Sequence, residues 1–343
     1  MSDQLLTPEA FGALAVTPSV AVVGLGGAGS EAVEDLVSLG IPGAVAIAIN
    51  TDAAHLSRVK VEERILLGHR VLRGRGSGGD RALVLKAAEE SREELLRRLE
   101  RFELVFLLAG LGGGTGSALL PYLSKALRET ETLPVPVVFL PFRVELETNP
   151  GRRDNVDATV QDLEEMGGLL LALANEKLRR FESLPIHRAF QVRNAYLHSL
   201  VANLVDMVEN PSQLNVDLSS LKNHLRQSGL STVVVAEHHV SEPERLVHQA
   251  LHDSLLDFRL PDRPSVLVHL EAGSNFTLRT LDQVLNSIRT RLNEPDQLVL
   301  GTRLRPEPRE VVRLTAVLGG LKPRTVRDAI ALRPAPRPEL VAR

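Results

Sequence analysis

The stretch LAGLGGGTGSALLP occupies residues 108–121. It places four glycines in the five positions 112–116, broken only by Thr115. Glycine loses more backbone freedom on folding than any other residue, so a run this dense needs a reason. Two are available: a turn that needs positive φ, or a backbone that something must approach closely. The flanks narrow the choice. ELVFLLAG (103–110) has the length and apolar character of a buried strand, and Thr115 to Leu127 reads as a helix. A strand, a glycine turn and a helix in succession present backbone N–H groups at a helix N-terminus, where an anion can sit. Thr115 and Ser117 add hydroxyl groups at the start of that helix.

Working outward, the same grammar repeats. SVAVVGLGGAGSEAVEDLVSLG (19–40) reads as strand, glycine turn and helix, with Ala32, Val33, Leu36, Val37 and Leu39 at helical spacing. AVAIAIN (44–50) is a second buried strand and ERILLG (63–68) a third. They are followed by an Arg- and Gly-rich loop at 69–81 and a helix over 82–99. VPVVFLPF (135–142) is the next strand, and Asp154–Glu165 a helix. This alternation predicts a parallel sheet covered on both faces. A long helix spans His187–Glu209, with Phe190, Val192, Leu197, Leu200, Val201, Leu204 and Val205 on its apolar side, until Asn210–Pro211 stops it. A second α/β region follows. Its helices are expected near 219–226, 242–256 and 278–292, and its strands at 230–237, 264–271, 296–302 and 309–319.

The bulk numbers agree with this plan. A chain of 343 residues is long for one core and predicts two domains. With 43% hydrophobic and 24% charged residues the composition is globular, and a net charge of −3 gives no sign of a nucleic-acid partner. No apolar run reaches membrane-spanning length, and Met1–Ala15 lacks the basic start and apolar core of a signal peptide. There is no Cys, hence no disulfide framework, and a cytoplasmic location is expected. The expected organisation is a flexible leader at 1–18, a nucleotide-binding domain at 19–186, a central helix at 187–209, a C-terminal α/β domain at 210–320 and a flexible tail at 321–343.

Three glycine loops follow strand ends: Gly24-Leu25-Gly26-Gly27-Ala28-Gly29, Gly76-Ser77-Gly78-Gly79 and Gly112–Gly116. In open α/β sheets ligands bind at that edge, and a phosphate chain suits three loops better than one phosphate does. The first loop also satisfies the dinucleotide fingerprint, which keeps a Rossmann-type NAD enzyme open as an alternative. Against it stand the loop at 112–116 and the polar triplet Asn50-Thr51-Asp52, where a lone acid would serve. No G-x-x-x-x-G-K-[ST] is present. The His248/His252 pair, spaced i,i+4, lacks an obvious third metal ligand, so no metal is expected there. The cluster Arg70, Arg73, Arg75 and Arg81 reads equally as solvated surface or as phosphate-neutralising charge.

The constellation resembles the tubulin/FtsZ superfamily. The residues that carry the resemblance are GLGGAGSEAV (24–33), NTDAAHL (50–56), GRGSGGD (74–80), AGLGGGTGS (109–117), PF (141–142), NEKL (175–178), AFQVRNA (189–195) and NVDL (215–218), in the family's order. The prokaryotic FtsZ and CetZ branches look closer than eukaryotic tubulin. The resemblance implies a Rossmann-like parallel-sheet GTPase domain joined by a long core helix to a smaller α/β domain. It implies GTP or GDP as ligand, with Mg²⁺ as a possible companion, and head-to-tail self-assembly in cell division or cell shape. By resemblance, Gly26, Gly27, Gly29 and Ser30 lie at the first phosphate loop, and Gly76, Ser77, Gly78 and Gly79 at the γ-phosphate. Gly112, Gly113, Gly114, Thr115, Gly116 and Ser117 wrap the phosphates. Glu145 reaches the ribose with Arg153 near the nucleotide, Phe190 stacks on the base, and Asn175 and Asn194 edge it.

The departures from the pattern shape the expected activity. FtsZ normally has Asn where this chain has Ser30, and Asp where it has Ala195; both family residues help to hold guanine. The activating loop N-x-D-x-x-D is here Asn215-Val216-Asp217-Leu218-Ser219-Ser220, so its second carboxylate is a hydroxyl. A hydroxyl cannot supply the charge that orients a water, and slow GTP turnover is expected. A non-hydrolysing or non-polymerising paralogue, acting as regulator or scaffold, is the alternative that Ser220 and Ala195 support. No adaptor-binding peptide is recognisable in 321–343, which leaves any membrane adaptor unidentified.

Overall fold

The computed structural model describes residues 20–209 and 218–321. The expected leader, almost all of the expected tail, and Asn215 and Asp217 lie outside the described residues. Ten strands form one continuous sheet. In chain order they are β1 (Val20–Leu25), β2 (Ala44–Asn50), β3 (Glu63–Leu66), β4 (Leu104–Gly110), β5 (Leu133–Leu140), β6 (Leu170–Ala174), β7 (Leu230–His239), β8 (Ser265–Ala272), β9 (Gln297–Leu304) and β10 (Val311–Gly319). Their spatial order is β3-β2-β1-β4-β5-β6-β7-β10-β8-β9. The first seven run parallel, as the strand–helix alternation predicts. β10 is antiparallel to both β7 and β8. Among the described residues, the two halves pair through the short register Leu170↔Leu230 and Leu171↔Ser231.

β1 shows why these runs are strands. Every residue of Val20–Leu25 is buried, and alternate side chains enter different cores. Ala21, Val23 and Leu25 join the cluster on one face of the sheet, Val20 and Val22 that on the other. Burial on both faces explains a continuous apolar run instead of a polar/apolar alternation. The strand–helix alternation leaves 170–174 unassigned. LLALA is five residues, too short for periodicity to separate strand from loop.

The helices on one face include α1 (Gly26–Leu39) and α2 (Ala53–Leu56). The expected helix over 82–99 is two, α3 (Arg81–Glu90) and α4 (Arg92–Leu99), divided at Ser91, whose φ of −111° and ψ of 8° leave helical space. α5 (Gly114–Arg128) follows β4. Between the expected strand at 135–142 and the expected helix at 154–165 lies a short helix α6 (Arg143–Thr148), leading into α7 (Pro150–Met166). Residues Asn175–Phe181 form a 3₁₀ turn. The long helix α8 (Ile186–Glu209) packs against α1, β7 and β10 and so spans the two halves. Beyond it lie α9 (Leu218–Gln227), α10 (Pro243–His252) and α11 (Leu278–Arg291). Strand β7, expected to end at 237, runs on through His238 and His239. No described helix is long and apolar enough to cross a membrane.

Candidate functional site

The chain reverses its direction of travel across the sheet between β1 and β4, which are neighbours. Ligands of open α/β sheets bind outside the carboxyl ends of strands at such a switch point. A cleft of about 490 Å³ lies there, within the range of ligand sites. One side is the start of α1: Gly26, Gly27, Ala28, Glu31, Glu34 and Asp35. The floor is Gly110, Leu111, Gly113, Gly114, Thr115 and Gly116. The far end is Phe139, Glu145, Arg152, Asn175, His187, Phe190, Arg193 and Asn194.

The glycines of the opening stretch turn out to serve different ends. Gly112 has φ +97°, a turn conformation. A Cβ on Gly113 would meet no atom within 4 Å, so its hydrogens face open cleft. A Cβ on Gly114 would collide with Ser77 Oγ and Gly79, which places the 76–79 loop directly beside it. A Cβ on Gly116 would press on the Leu25 carbonyl at 3.0 Å. Gly29 belongs to packing: its Cβ would collide with the Leu108 carbonyl where α1 crosses β4. Gly26 has φ +71° and abuts Gly116 N.

Two helices, α1 and α5, start at this cleft, and neither has a side-chain cap; their N-cap residues are Leu25 and Gly113. Elsewhere Asp80, Asn149 and Thr277 cap α3, α7 and α11 by accepting from backbone N–H groups, while α4 and α10 also lack a side-chain cap but start away from the cleft. The first N–H groups of a helix lack intrahelical partners. Here two such sets converge on one cavity without side-chain oxygens to satisfy them.

The loops are fastened from behind. Thr51 and Thr115 share a hydroxyl hydrogen bond of 2.8 Å, joining β2 to α5. Ser117, expected at the phosphates, is fully buried, and its Oγ accepts from Gly112 N at 3.0 Å. It shapes the loop and does not line the cleft. Asn155 donates to Gly79 O at 2.9 Å and to Gly112 O at 3.2 Å, tying the second glycine loop to the third. Ser30 is fully buried with its hydroxyl unpartnered, whereas Glu31, one residue on, lines the cleft. Helical geometry explains the exchange: residues 27, 28, 31 and 35 share one face, and position 30 points to the core.

Glu145 lines the cleft with both oxygens engaged. Oε1 accepts from Phe142 N at 3.0 Å, and Oε2 pairs with Arg152 Nη1 at 2.6 Å. Arg152 is the cleft arginine of α7, while Arg153 is exposed and outside the lining. Arg81 of the arginine cluster pairs with Asp162. His248 and His252 stack ring on ring 6.5 Å apart, and no metal-ligand group of three forms among the described residues. Ser220 is exposed near the start of α9.

At the inner end, Asn175 and Asn194 are both buried and both hold Arg193, a residue the motif reading passes over. Arg193 Nη1 donates to Asn175 Oδ1 at 2.9 Å; Nε and Nη2 donate to Asn194 Oδ1 at 3.1 and 3.0 Å. Asn194 Nδ2 donates in turn to Asp35 Oδ2 at 2.6 Å. The guanidinium carbon lies 3.8 Å from the Phe139 ring centroid and 5.0 Å from that of Phe190. Burial pulls the Arg193 pKa down to about 10, opposed by the negative charges of Asp35 and Glu31, so the group is a cation at neutral pH. Nothing in the residue spacing announces this. An Arg on the apolar side of a helix gives no signal until the facing strand is known.

Similarity to known proteins agrees with this geometry. Residues 19–183 match the tubulin/FtsZ family GTPase domain and residues 234–322 the FtsZ family C-terminal domain. Cell division protein FtsZ 1 of Pyrococcus furiosus is 32% identical over 308 residues, covering 89% of this chain and 82% of that protein. Cell division protein FtsZ of Haloferax mediterranei is 31% identical, covering 89% and 80%. Among solved structures, an FtsZ mutant of M. jannaschii superposes with a TM-score of 0.79 at 31% identity, covering 92% of this chain and 95% of that one. The fold also matches CetZ2 of Haloferax volcanii, solved as a GTPγS-bound protofilament, at a TM-score of 0.73 and 21% identity, covering 91% and 96%. The chain belongs to the tubulin/FtsZ family.

Proposed function

We propose that this protein binds GTP or GDP in the cleft and assembles head to tail into filaments, with slow GTP hydrolysis completed at the junction between copies. The observation that carries the reading is the convergence of two uncapped helix N-termini on a glycine-floored cavity. Polyphosphate oxygens would accept from those N–H groups, and the open space over Gly113 admits them at backbone distance. In this reading Gly26, Gly27 and Gly113–Gly116 hold the phosphates, Gly76–Gly79 flank the terminal one, and Phe190 packs on the base. A Mg²⁺ ion would travel with the nucleotide. Family membership supports the nucleotide class.

Assembly has its own support in the sheet. Lys222, two residues after Ser220, reaches Glu103 Oε1 at 4.0 Å and Glu131 O at 3.5 Å. Those residues precede β4 and β5, so the start of α9 lies at the amino ends of the strands, while the cleft lies at their carboxyl ends. A seven-residue strand spans roughly 23 Å, so Ser220 of one copy cannot reach its own cleft. Only a second copy stacked end on end brings the two together. Such heterologous contacts do not close and give filaments. Similar solved structures include an FtsZ dimer of M. jannaschii and a CetZ2 protofilament of Haloferax volcanii. The relatives named as cell division proteins make cell division or cell shape, in the cytoplasm, the corresponding role.

The test is to release bound nucleotide from purified protein, identify it by chromatography, and follow light scattering and electron microscopy after adding GTP. Guanine nucleotide and filaments are expected. Guanine nucleotide with only small species would favour the non-polymerising regulator, for which Ser220 and Ala195 speak. NAD would overturn the reading.

A further inference from the structure

The inner end of the cleft holds a buried cation with donors to spare. Arg193 carries five N–H groups. Three are used among the described residues, on Asn175 and Asn194. No described carboxylate comes within 4.0 Å of it; amide oxygens and the faces of Phe139 and Phe190 make its direct contacts, and Asp35 and Glu31 act on its charge only from farther away. Burying an arginine this incompletely paired is costly, and the cost is recovered if an acceptor arrives with the ligand. At the same end stand the carboxylates of Glu31 and Asp35 on α1. Asn194, whose amide oxygen is taken by Arg193 and whose amide nitrogen donates to Asp35, is committed to holding these groups.

A base entering here therefore meets donors from Arg193 beside acceptors from Glu31 and Asp35. Guanine offers O6 and N7 as acceptors on one edge, with N1–H and the 2-amino group as donors on the next. Adenine places its 6-amino donors where guanine has O6, and would set donors against donors. We propose that Arg193 is a specificity-determining residue, its guanidinium donating to the O6/N7 edge of guanine and rejecting the 6-amino group of adenine. This rests on the reading of the cleft as a nucleotide site. It also gives a reason for the substitutions at the base end: with Ala at 195, the carboxylates near the base come from α1 and the discriminating cation from α8.

The test is calorimetric binding of GTP, ITP, ATP and 2,6-diaminopurine riboside triphosphate to the full chain and to Arg193→Met. The parent is expected to bind ITP, which keeps O6 and N7, within a few-fold of GTP. It should bind ATP and the diaminopurine nucleotide about 10- to 100-fold more weakly, the range of one or two charge-assisted hydrogen bonds. In Arg193→Met the GTP affinity falls toward that of ATP, while ATP affinity is unchanged or higher; Arg193→Lys restores part of the difference. The diaminopurine comparison uses the parent alone and so stands even if the Met variant fails to fold. Equal binding of the diaminopurine nucleotide and GTP by the parent, or an unchanged GTP-to-ATP ratio in Arg193→Met, overturns the proposal while leaving the nucleotide site intact. No binding of any nucleoside triphosphate by the parent overturns the reading of the cleft itself, and this proposal with it.

Discussion

At the scale of single residues, glycines of different loops answer to different forces, and substitution separates them. Gly113 faces open cleft, so Gly113→Val should leave the melting temperature within about 2 °C of the parent and weaken GTP binding at least tenfold, because the new carbons occupy the path of the phosphates. Gly29→Ala should do the reverse. Its Cβ collides with the Leu108 carbonyl, which is backbone and cannot step aside, and a loss of about 2–4 kcal/mol is expected. Thermal melts alongside calorimetry on both variants check the pair; a Gly113→Val protein that binds GTP normally would displace the phosphates from this floor. Ser220 supplies the second residue-scale prediction. Ser220→Asp should raise phosphate release per assembled subunit by about tenfold or more, because a carboxylate positions and polarises the attacking water as a hydroxyl does not. The comparison needs filaments of both proteins at matched assembly, and equal rates would acquit Ser220 of limiting the reaction.

At the scale of elements, the cleft is made by how helices begin and how loops are tied. α1 and α5 start without side-chain caps, and both starts line the same cavity; α4 and α10 are uncapped as well, but each starts away from it. The second and third glycine loops are linked by a single amide, that of Asn155 on α7. Asn155→Ala removes two hydrogen bonds, worth about 1 kcal/mol each. The loops that loosen flank the proposed terminal phosphate. GTP affinity should therefore fall several-fold more than GDP affinity, a change readable by competition binding. An unchanged GTP-to-GDP ratio would detach this amide from the γ-phosphate loop.

For the whole molecule, buried histidines link fold stability to pH. His224 on α9 bonds through Nε2 with Ser265 Oγ at 3.0 Å, and His269 on β8 lies 3.5 Å from Asp206, a carboxylate already paired with Arg303. Burial pulls both pKa values from 6.5 down to about 4. Between pH 6.5 and 4 the unfolded chain binds more protons than the folded one, so stability is complete above about 6.5 and drains away as pH falls. Each histidine accounts for on the order of 2–3 kcal/mol by pH 4. Melting temperatures recorded from pH 7.5 to 4.5 should decline, and more gently in His224→Gln. Parallel curves for the two proteins would remove His224 from the account.

The amino-acid sequence by itself determined most of the parallel half of the sheet, since strands buried on both faces must be continuous apolar runs, as at β1 and β4; the short β6 escaped it. It also determined the glycine loops, because few residues other than glycine accept φ near +97° at Gly112 or the contact at Gly116. The family resemblance rests on those same residues. Three things were left to tertiary structure. Which residue of a helix faces the cleft depends on the helix's rotation against the sheet, so Glu31 and not Ser30 lines it. Whether a hydroxyl meets ligand or backbone depends on loop closure, which turns Ser117 toward Gly112 N. The Arg193 arrangement joins α8, β5, the 3₁₀ turn and α1, and its members stand up to 159 residues apart along the chain. Local spacing records only neighbours a few residues away, so a cation held by distant groups becomes visible only when the sheet brings them together.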